Sequence, residues 1–564
     1  MLTKFNPMEL DGLAPEERVK QTGLDLDWAA LGAAGDDAFS KRHALLSKWA
    51  GVYKQLQPGF FMMRTRVPGG RLSSAHARLM AALAARYALG QICITTRQCL
   101  QFHWVKLADI ATIMTELARH GLTGKNACGD VTRNICCCPW SGVCPAEQAD
   151  ARAAAEALEH AMLPRDDLRN LPRKFKINFS GCLTACGQPF TNDLGWVGIQ
   201  RNGSPGFMLF CAGGLGARPF LATRVLDFVP PHLVVPVAQA AITLFRDWGN
   251  RRNRAYARSK YVMHAFGLAH YQDLLRQYLA AAGLAPSDIA QIAFSDDGRL
   301  PSVPYSFDRS PAVIPQKQPG KVLVQILVWR GELTAEQLDN AAHLAEDYGD
   351  GHVYFTHRQN MELHGVDTAR ADELLARLRA HGFHTEGFMG VPDAVACVGT
   401  TLCNLAVSNT PNLYRLIRER IAAHPDPRVR SCRILINING CPNSCGQHKI
   451  ADIGLRGMRL PASSGSTEAF ELSLGGSIYH GVPALNEPVC CIPAAETPRA
   501  VEWLIETFVR ERADDRTPFR HWYLSRGRAW CATHLNALVA QAAQPGALNA
   551  LLASPIPHSS DNLP

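Results

Sequence analysis

The sequence predicts an α+β protein made by tandem duplication of one unit, and three observations carry that reading. Cys138, Cys144, Cys182 and Cys186 recur as Cys397, Cys403, Cys441 and Cys445, at a constant offset of 259 that preserves all three intervals. Thr96-Arg97-Gln98 answers His357-Arg358-Gln359 at offset 261, and Gly213-Gly214 answers Gly475-Gly476 at offset 262. With eighteen cysteines among 564 residues, four matched spacings are not a chance expectation. Short apolar runs ending in turn residues alternate with helical-period stretches, which gives the mixed class.

Composition narrows the function. Hydrophobic residues make up 47% and charged residues 19%, a globular balance, and 564 residues suggest about three domains. No run of eighteen apolar residues predicts a membrane span. The first ten residues lack the apolar core of a signal peptide, so the cysteines are expected to be metal ligands in a reducing, cytoplasmic setting. The net charge of +8 fits anionic partners, but the basic residues are scattered. No basic helix with interleaved aromatics suggests nucleic acid. No G-x-G-x-x-G follows a strand and no Walker loop occurs, so electrons are expected from a separate protein.

Taken in order, residues 1–50 read as a helical, partly extended arm. Phe60 to Gly70 reads as a strand entering a Pro-Gly-Gly turn, followed by a helix from Ser74 to about Leu89. Ile94 to Phe102 reads as a strand carrying Arg97 and Gln98. Val234 to Tyr261 reads as a helix ending in a basic run. Residues 284–320, with several Pro, Ser and Asp, read as the crossover into the second copy, which runs to about 525. Beyond Cys531 an Ala-rich helix and a polar tail are expected.

The chemistry sits in the thiols. Each copy has a C-x5-C pair followed by a C-x3-C pair, and the second lies in Asn439-Gly440-Cys441-Pro442-Asn443-Ser444-Cys445-Gly446. Thiolate pairs on tight Gly- and Pro-containing loops suit an iron–sulfur cluster, because small residues let the backbone approach the bridging sulfides. Structural zinc favours C-x2-4-C knuckles, which C-x5-C does not match. A disulfide framework belongs to secreted chains. The other cysteines, Cys93, Cys99, Cys128, Cys136, Cys137, Cys211, Cys432, Cys490, Cys491 and Cys531, read as small buried hydrophobes.

The copies differ in charge. Carrying Arg133, Lys174 and Lys176 forward by 259 gives Pro392, Arg433 and Leu435, and carrying Arg64 forward by 261 gives Gln325. Four cations in the first copy become one in the second. Each Lys or Arg alone would pass for a solvated strand residue.

The C-x5-C pair with G-C-P-N-x-C-G, followed by Ala451-Asp452-Ile453-Gly454-Leu455, resembles the sulfite and nitrite reductase haemoprotein family, from about residue 55 to about residue 525. The resemblance implies a sirohaem coupled to a [4Fe–4S] cluster on Cys397, Cys403, Cys441 and Cys445, with Cys445 bridging to the sirohaem iron. It implies that Arg64, Arg133, Lys174 and Lys176 surround the substrate, and that Arg66, Arg97 and Lys260 meet sirohaem carboxylates. The implied fold is three-lobed, with two ferredoxin-like half-domains and two iron–sulfur/sirohaem-type domains in pseudo-twofold relation. The expected boundaries are 1–50 for the arm, 51–125 for the first half-domain and 126–283 for the first sirohaem-type domain. The linker follows at 284–320, the second half-domain at 321–388, the catalytic cluster domain at 389–530, and a helix and tail at 531–564.

The resemblance also implies an oxidoreductase reducing sulfite to sulfide by six electrons, or nitrite to ammonia, with a ferredoxin or flavoprotein subunit as donor. Lys174-Phe175-Lys176 resembles the sulfite type, since plant-type nitrite reductases place Asn at the second lysine, whereas Cys445-Gly446-Gln447 resembles the nitrite branch. A non-catalytic iron–sulfur electron-transfer or scaffold protein is the alternative of a different class. Better-known family members lack a full cysteine set in the first half, so Cys138, Cys144, Cys182 and Cys186 offer a second cluster site or remain as inherited thiols.

Overall fold

The computed structural model describes residues 3–6, 9, 11–304, 308–462 and 465–542. They fall into two compact units. One comprises Met1–Gly214, Phe220–Ser306 and Val313–Thr385, and the other Leu215–Pro219, Phe307–Ala312 and Glu386–Pro564.

In the first unit, β1 (Val52–Lys54), β2 (Phe60–Thr65), β4 (Gln91–Ile94) and β5 (Leu100–Lys106) form an antiparallel sheet in the order β1-β2-β5-β4. The three-residue strand β3 (Arg71–Ser73) leaves that sheet. A second sheet runs β11-β10-β9-β8-β7-β6. It is built from β6 (Cys136–Cys137), β7 (Ile177–Ser180), β8 (Leu194–Arg201), β9 (Ser204–Cys211), β10 (Thr223–Val229) and β11 (Ala293–Phe294). Its first three strands are parallel and the rest antiparallel.

The duplicated half-domain follows with β12 (Val313–Pro315), β13 (Lys321–Ile326), β14 (Glu332–Thr334), β15 (His352–Phe355) and β16 (Met361–Asp367), each shifted by 261 from its counterpart. The short strands change places. β14 pairs with β4, and β3 pairs with β15, so each half-domain completes the other's sheet. The helices Ser74–Tyr87 and Ala335–Tyr348 pack together, and one hydrophobic core runs through both half-domains, from Val52, Phe61 and Phe102 to Val324, Leu363 and Leu374.

Two glutamines fasten the exchange. Gln98 donates from Nε2 to the Phe355 carbonyl at 2.7 Å and the Cys137 carbonyl at 2.9 Å, and accepts from the Cys137 N–H at 3.0 Å. Its counterpart Gln359 donates to the Ile94 and Arg330 carbonyls at 3.0 and 3.1 Å. Gly70 has φ +75°, and a Cβ there would lie 2.5 Å from Gln98 Nε2 and 2.7 Å from the Phe355 carbonyl, so this approach requires glycine.

The second unit holds β17 (Val395–Ala396), β18 (Ile436–Asn439), β19 (Ile453–Ala462), β20 (Gly465–Leu474) and β21 (Glu487–Pro493) in that order. Its three parallel strands followed by antiparallel ones repeat β6 to β10. The copies share individual hydrogen bonds as well. The Lys176 N–H donates to Asp193 at 2.8 Å, and the Leu435 N–H donates to Asp452 at 2.9 Å.

Two expectations need correction. Ile94 to Phe102 is a hairpin, not one strand. Thr95 Oγ1 accepts from the N–H groups of Arg97 and Cys99, and Gln98 turns left-handed at φ +57°. The helix from Val234 ends at Trp248, where Gly249 is extended, and a new helix starts at Ser259. The helix from Ser74 ends at Tyr87. At the C-terminus the helix Arg528–Ala542 is present, and the expected tail at 543–564 lies outside the described residues.

The N-terminal arm contains the helices Pro15–Lys20, Trp28–Ala34 and Lys41–Leu46. It anchors on a buried carboxylate, Asp130, which pairs with Arg254 at 2.9 Å, Arg173 at 3.1 Å and Lys20 at 3.6 Å. Burial opposes ionisation of Asp130, but these cations hold its carboxyl below the usual carboxylate range.

Gln98→Ala removes three buried hydrogen bonds and strands two carbonyls, and should lower stability by about 2–3 kcal/mol. Urea unfolding checks this, and a loss under about 0.5 kcal/mol would show that the glutamine does not fasten the exchange.

Candidate metal centre and cation cluster

The thiol sets meet because of strand order. Cys138 directly follows β6, and Cys182 follows β7 by one glycine. Cys397 directly follows β17, and Cys441 follows β18 by one glycine. Each C-x5-C and C-x3-C pair therefore leaves the C-terminal ends of two neighbouring parallel strands. Left-handed residues turn the C-x3-C loops identically, at Ala185 and Gln188 and again at Ser444 and Gln447.

The second set is surrounded by donors. Gly440 N–H donates to Cys397 Sγ at 3.2 Å, Leu405 N–H donates to Cys403 Sγ at 3.4 Å, and Asn443 N–H reaches Cys441. Cys397, Cys403 and Cys441 all lie in the electrostatic field of Cys445, so the four thiols form one group. Burial first, and then Cys445, push the Cys397 thiol up to about 11. Cys445 is exposed and Cys441 buried.

Among the described residues, no three Cys, His, Asp or Glu side chains converge tightly enough for a single metal ion. A cubane cluster spreads its irons and needs a wider cage. Four soft thiolates with backbone N–H groups aimed at the sulfurs fit a [4Fe–4S] cluster.

The first-copy cations gather in the other unit. Arg64, on β2, faces Gln101 on β5 and donates to its side-chain oxygen at 2.7 and 3.3 Å when that amide is oriented to accept. Arg133 is buried and holds the carbonyls of Gly129 at 2.8 Å and Ala127 at 3.2 Å. Both lie beside Tyr53, whose hydroxyl pKa is raised chiefly by burial. Lys174 and Lys176 flank buried Phe175 and share the opposite face, half-buried. Lys176 and Arg97 both lie close enough to bias Cys136.

The haem-facing expectations divide. Arg66 is engaged throughout. It is buried, its Nε donates to Glu159 at 2.6 Å and its Nη2 to the same carboxylate at 2.5 Å, and its remaining donors hold the carbonyls of Asn126, Thr132 and Arg133. A guanidinium so fully engaged ties β2 to the helix Ala151–Met162 and positions Arg133 from behind. Arg97, at the hairpin turn, donates to Asn178 at 2.9 Å, Asn192 at 3.0 Å and the Asn134 carbonyl at 2.7 Å, while its buried Nε has no partner. Lys260 is buried 5.1 Å from the Phe220 ring and 3.4 Å from the Gly214 carbonyl.

Sequence reasoning missed Lys48. Its ammonium lies 5.8 Å from the Tyr53 ring and in the field of Arg133, Arg173 and Arg254, and burial lowers its pKa. It lies in the arm, whose composition gives no signal. Also missed were His103 and His357, buried beside Arg64 and Arg97 and held neutral by desolvation, with pKa values near 4 and 3.

The second copy has lost this charge. Gln325 replaces Arg64 and faces Glu362 across β13 and β16. Pro392 and Leu435 are neutral, and Arg433 is paired with Asp308 at 2.9 Å.

The nitrite and sulphite reductase 4Fe-4S domain matches residues 128–282 and 390–530, and the nitrite/sulfite reductase ferredoxin-like half domain matches 53–120 and 314–381. The chain is 32% identical over 507 residues to an assimilatory ferredoxin-dependent nitrite reductase of Haloferax mediterranei, covering 85% of each chain. It is 30% identical to a ferredoxin–nitrite reductase of Synechococcus elongatus, covering 90% of this chain and 97% of that one. It is 29% identical to a ferredoxin sulfite reductase of Mycolicibacterium paratuberculosis, covering 83% and 86%. The solved Mycobacterium tuberculosis NirA protein superimposes with a TM-score of 0.82 at 27% identity, over 92% of this chain and 97% of that one. The chain belongs to the nitrite and sulfite reductase family, oxidoreductases that carry sirohaem and a [4Fe–4S] cluster.

Glu159→Ala leaves Arg66 buried without its counterion and should cost about 3–5 kcal/mol, whereas Arg66→Met with Glu159→Leu should recover most of that. Denaturant midpoints of the single and double variants check this; a single-variant loss under about 1 kcal/mol would show that Arg66 is not the structural tie described.

Proposed function

We propose that the protein reduces sulfite to sulfide, that Cys397, Cys403, Cys441 and Cys445 would hold the [4Fe–4S] cluster coupled to a sirohaem, and that Cys445 is the thiol that would serve both groups. The observation that carries this is the pair Lys174 and Lys176 flanking Phe175, whose carbonyl accepts from the Arg133 N–H at 2.9 Å, with Arg133 and Arg64 both beside Tyr53. Taking sulfur from +4 to −2 requires six electrons and releases three oxygens as water. The sirohaem and cluster, when bound, would supply these electrons.

The chain's own residues handle charge and protons. Arg64 and Arg133 present fixed guanidinium charge to the oxyanion. Arg133 is held by two carbonyls, so it binds without reorganising. Lys174 and Lys176 donate protons to the departing oxygens, since a crowded lysine loses its proton readily. Lys48 adds positive field beside Arg133. The donor is a ferredoxin, as the names of the relatives indicate for those proteins.

Nitrite reduction to ammonia on the same centre is the second reading. It is favoured by Gln447 after the last cysteine and by relatives named as nitrite reductases. Turnover of sulfite and nitrite side by side, with reduced ferredoxin and with a dye donor, decides. A higher kcat/KM for sulfite is expected, and a clear preference for nitrite overturns the first reading.

Lys176→Asn removes one cation from the pocket. Sulfite carries more negative charge than nitrite near pH 7, so its kcat/KM should fall about tenfold or more while nitrite loses less. An equal loss for both anions would contradict the assigned role.

Cys445→Ser should abolish turnover with either anion and alter the sirohaem absorption. A variant with normal absorption and activity would remove Cys445 from the centre.

A further inference from the structure

We propose that Cys138, Cys144, Cys182 and Cys186 hold a second [4Fe–4S] cluster, one without a sirohaem attached. The four thiols come together within the first unit at the ends of β6 and β7. Cys138 lies within hydrogen-bond reach of Cys186, and Cys144 of Cys182, and the two pairs adjoin, since Cys144 also senses Cys186 and Cys138 also senses Cys144. All are unbridged. Three of them are buried, at 5%, 5% and 7% exposure for Cys138, Cys144 and Cys182, against an exposed Cys445 in the other set. This cage is therefore the better shielded of the two.

The loop carrying the first pair is built to hold its shape without metal. Glu147 accepts from the Gly142 N–H at 2.9 Å and the Ser141 hydroxyl at 2.5 Å, and Lys317 pairs with it at 2.9 Å. Arg152 holds the carbonyls of Pro139 and Ser141 at 2.9 and 3.3 Å, and Trp140 donates to Glu362 at 2.9 Å. Such preorganisation around four thiols is what a cluster site requires.

In the sequence, three of the second-copy counterparts of the first-copy cations are neutral, Gln325, Pro392 and Leu435, which argues against a second sirohaem, a macrocycle whose eight carboxylates need cationic partners. A bare cluster needs only thiolates and shielding. Four thiols in touching pairs, left without iron, would be exposed to oxidation.

Iron and acid-labile sulfide, counted per sirohaem in anaerobically purified enzyme, test this. About nine irons and eight sulfides are expected, of which one iron belongs to sirohaem. Cys182→Ser should remove about four of each while sirohaem content and absorption stay unchanged. About five irons in the unaltered enzyme overturns the proposal, and so does an iron count that Cys182→Ser does not change. Thiol titration in the five-iron case separates two disulfides from free cysteines. Absence of sirohaem altogether would instead defeat the proposed function, and the iron count per chain would still decide for or against the second cluster.

Discussion

Everything else in the first unit hangs on the exchange of two three-residue strands. β3 and β14 are too short to stand as edges of their own sheets, and each is stabilised only by pairing with the other copy. The exchange makes one core from two half-domains, and Gln98 and Gln359 fasten it from both sides. It also sets the hairpin at Thr95–Cys99, which carries Arg97, and fixes β2, which carries Arg64. The cations are thus mounted on rigid backbone.

Duplication supplied the same cage twice, and charge separated the roles. Both copies keep the parallel strands, the left-handed turns and the Asp193 and Asp452 contacts that hold the C-x3-C loops. One copy kept its cations and buried three of its four thiols. The other lost its cations and left Cys445 open. Under the proposed function, the first copy supplies the anion-binding cations and the second copy the thiols of the coupled cluster.

The duplication was legible because cysteine spacing is a discrete signal that survives drift elsewhere. The family, the α+β class and the cofactor-type thiols followed from it. Strand exchange was not legible, because three-residue strands carry no periodicity. The hairpin at Ile94–Phe102 was read as one strand because its turn contains neither Gly nor Pro; Gln98 adopts the left-handed conformation and is compensated by its hydrogen bonds. The different settings of Arg64 and Arg66 were not legible for a similar reason. Arg64 and Arg66 look alike in sequence, and only Glu159, far along the chain, marks the second as structural. The break after Trp248 lay hidden in a basic run that suits a helix end and a loop equally.

The division of labour is tested most directly at equivalent positions of the two copies. Sulfite binding to the purified enzyme, followed by spectral titration, should weaken about tenfold or more in Lys174→Met, a loss of about 1.4 kcal/mol. It should stay within about twofold in Arg433→Met, whose side chain is engaged with Asp308. Equal effects at the two positions, or a larger one at Arg433, would contradict the account.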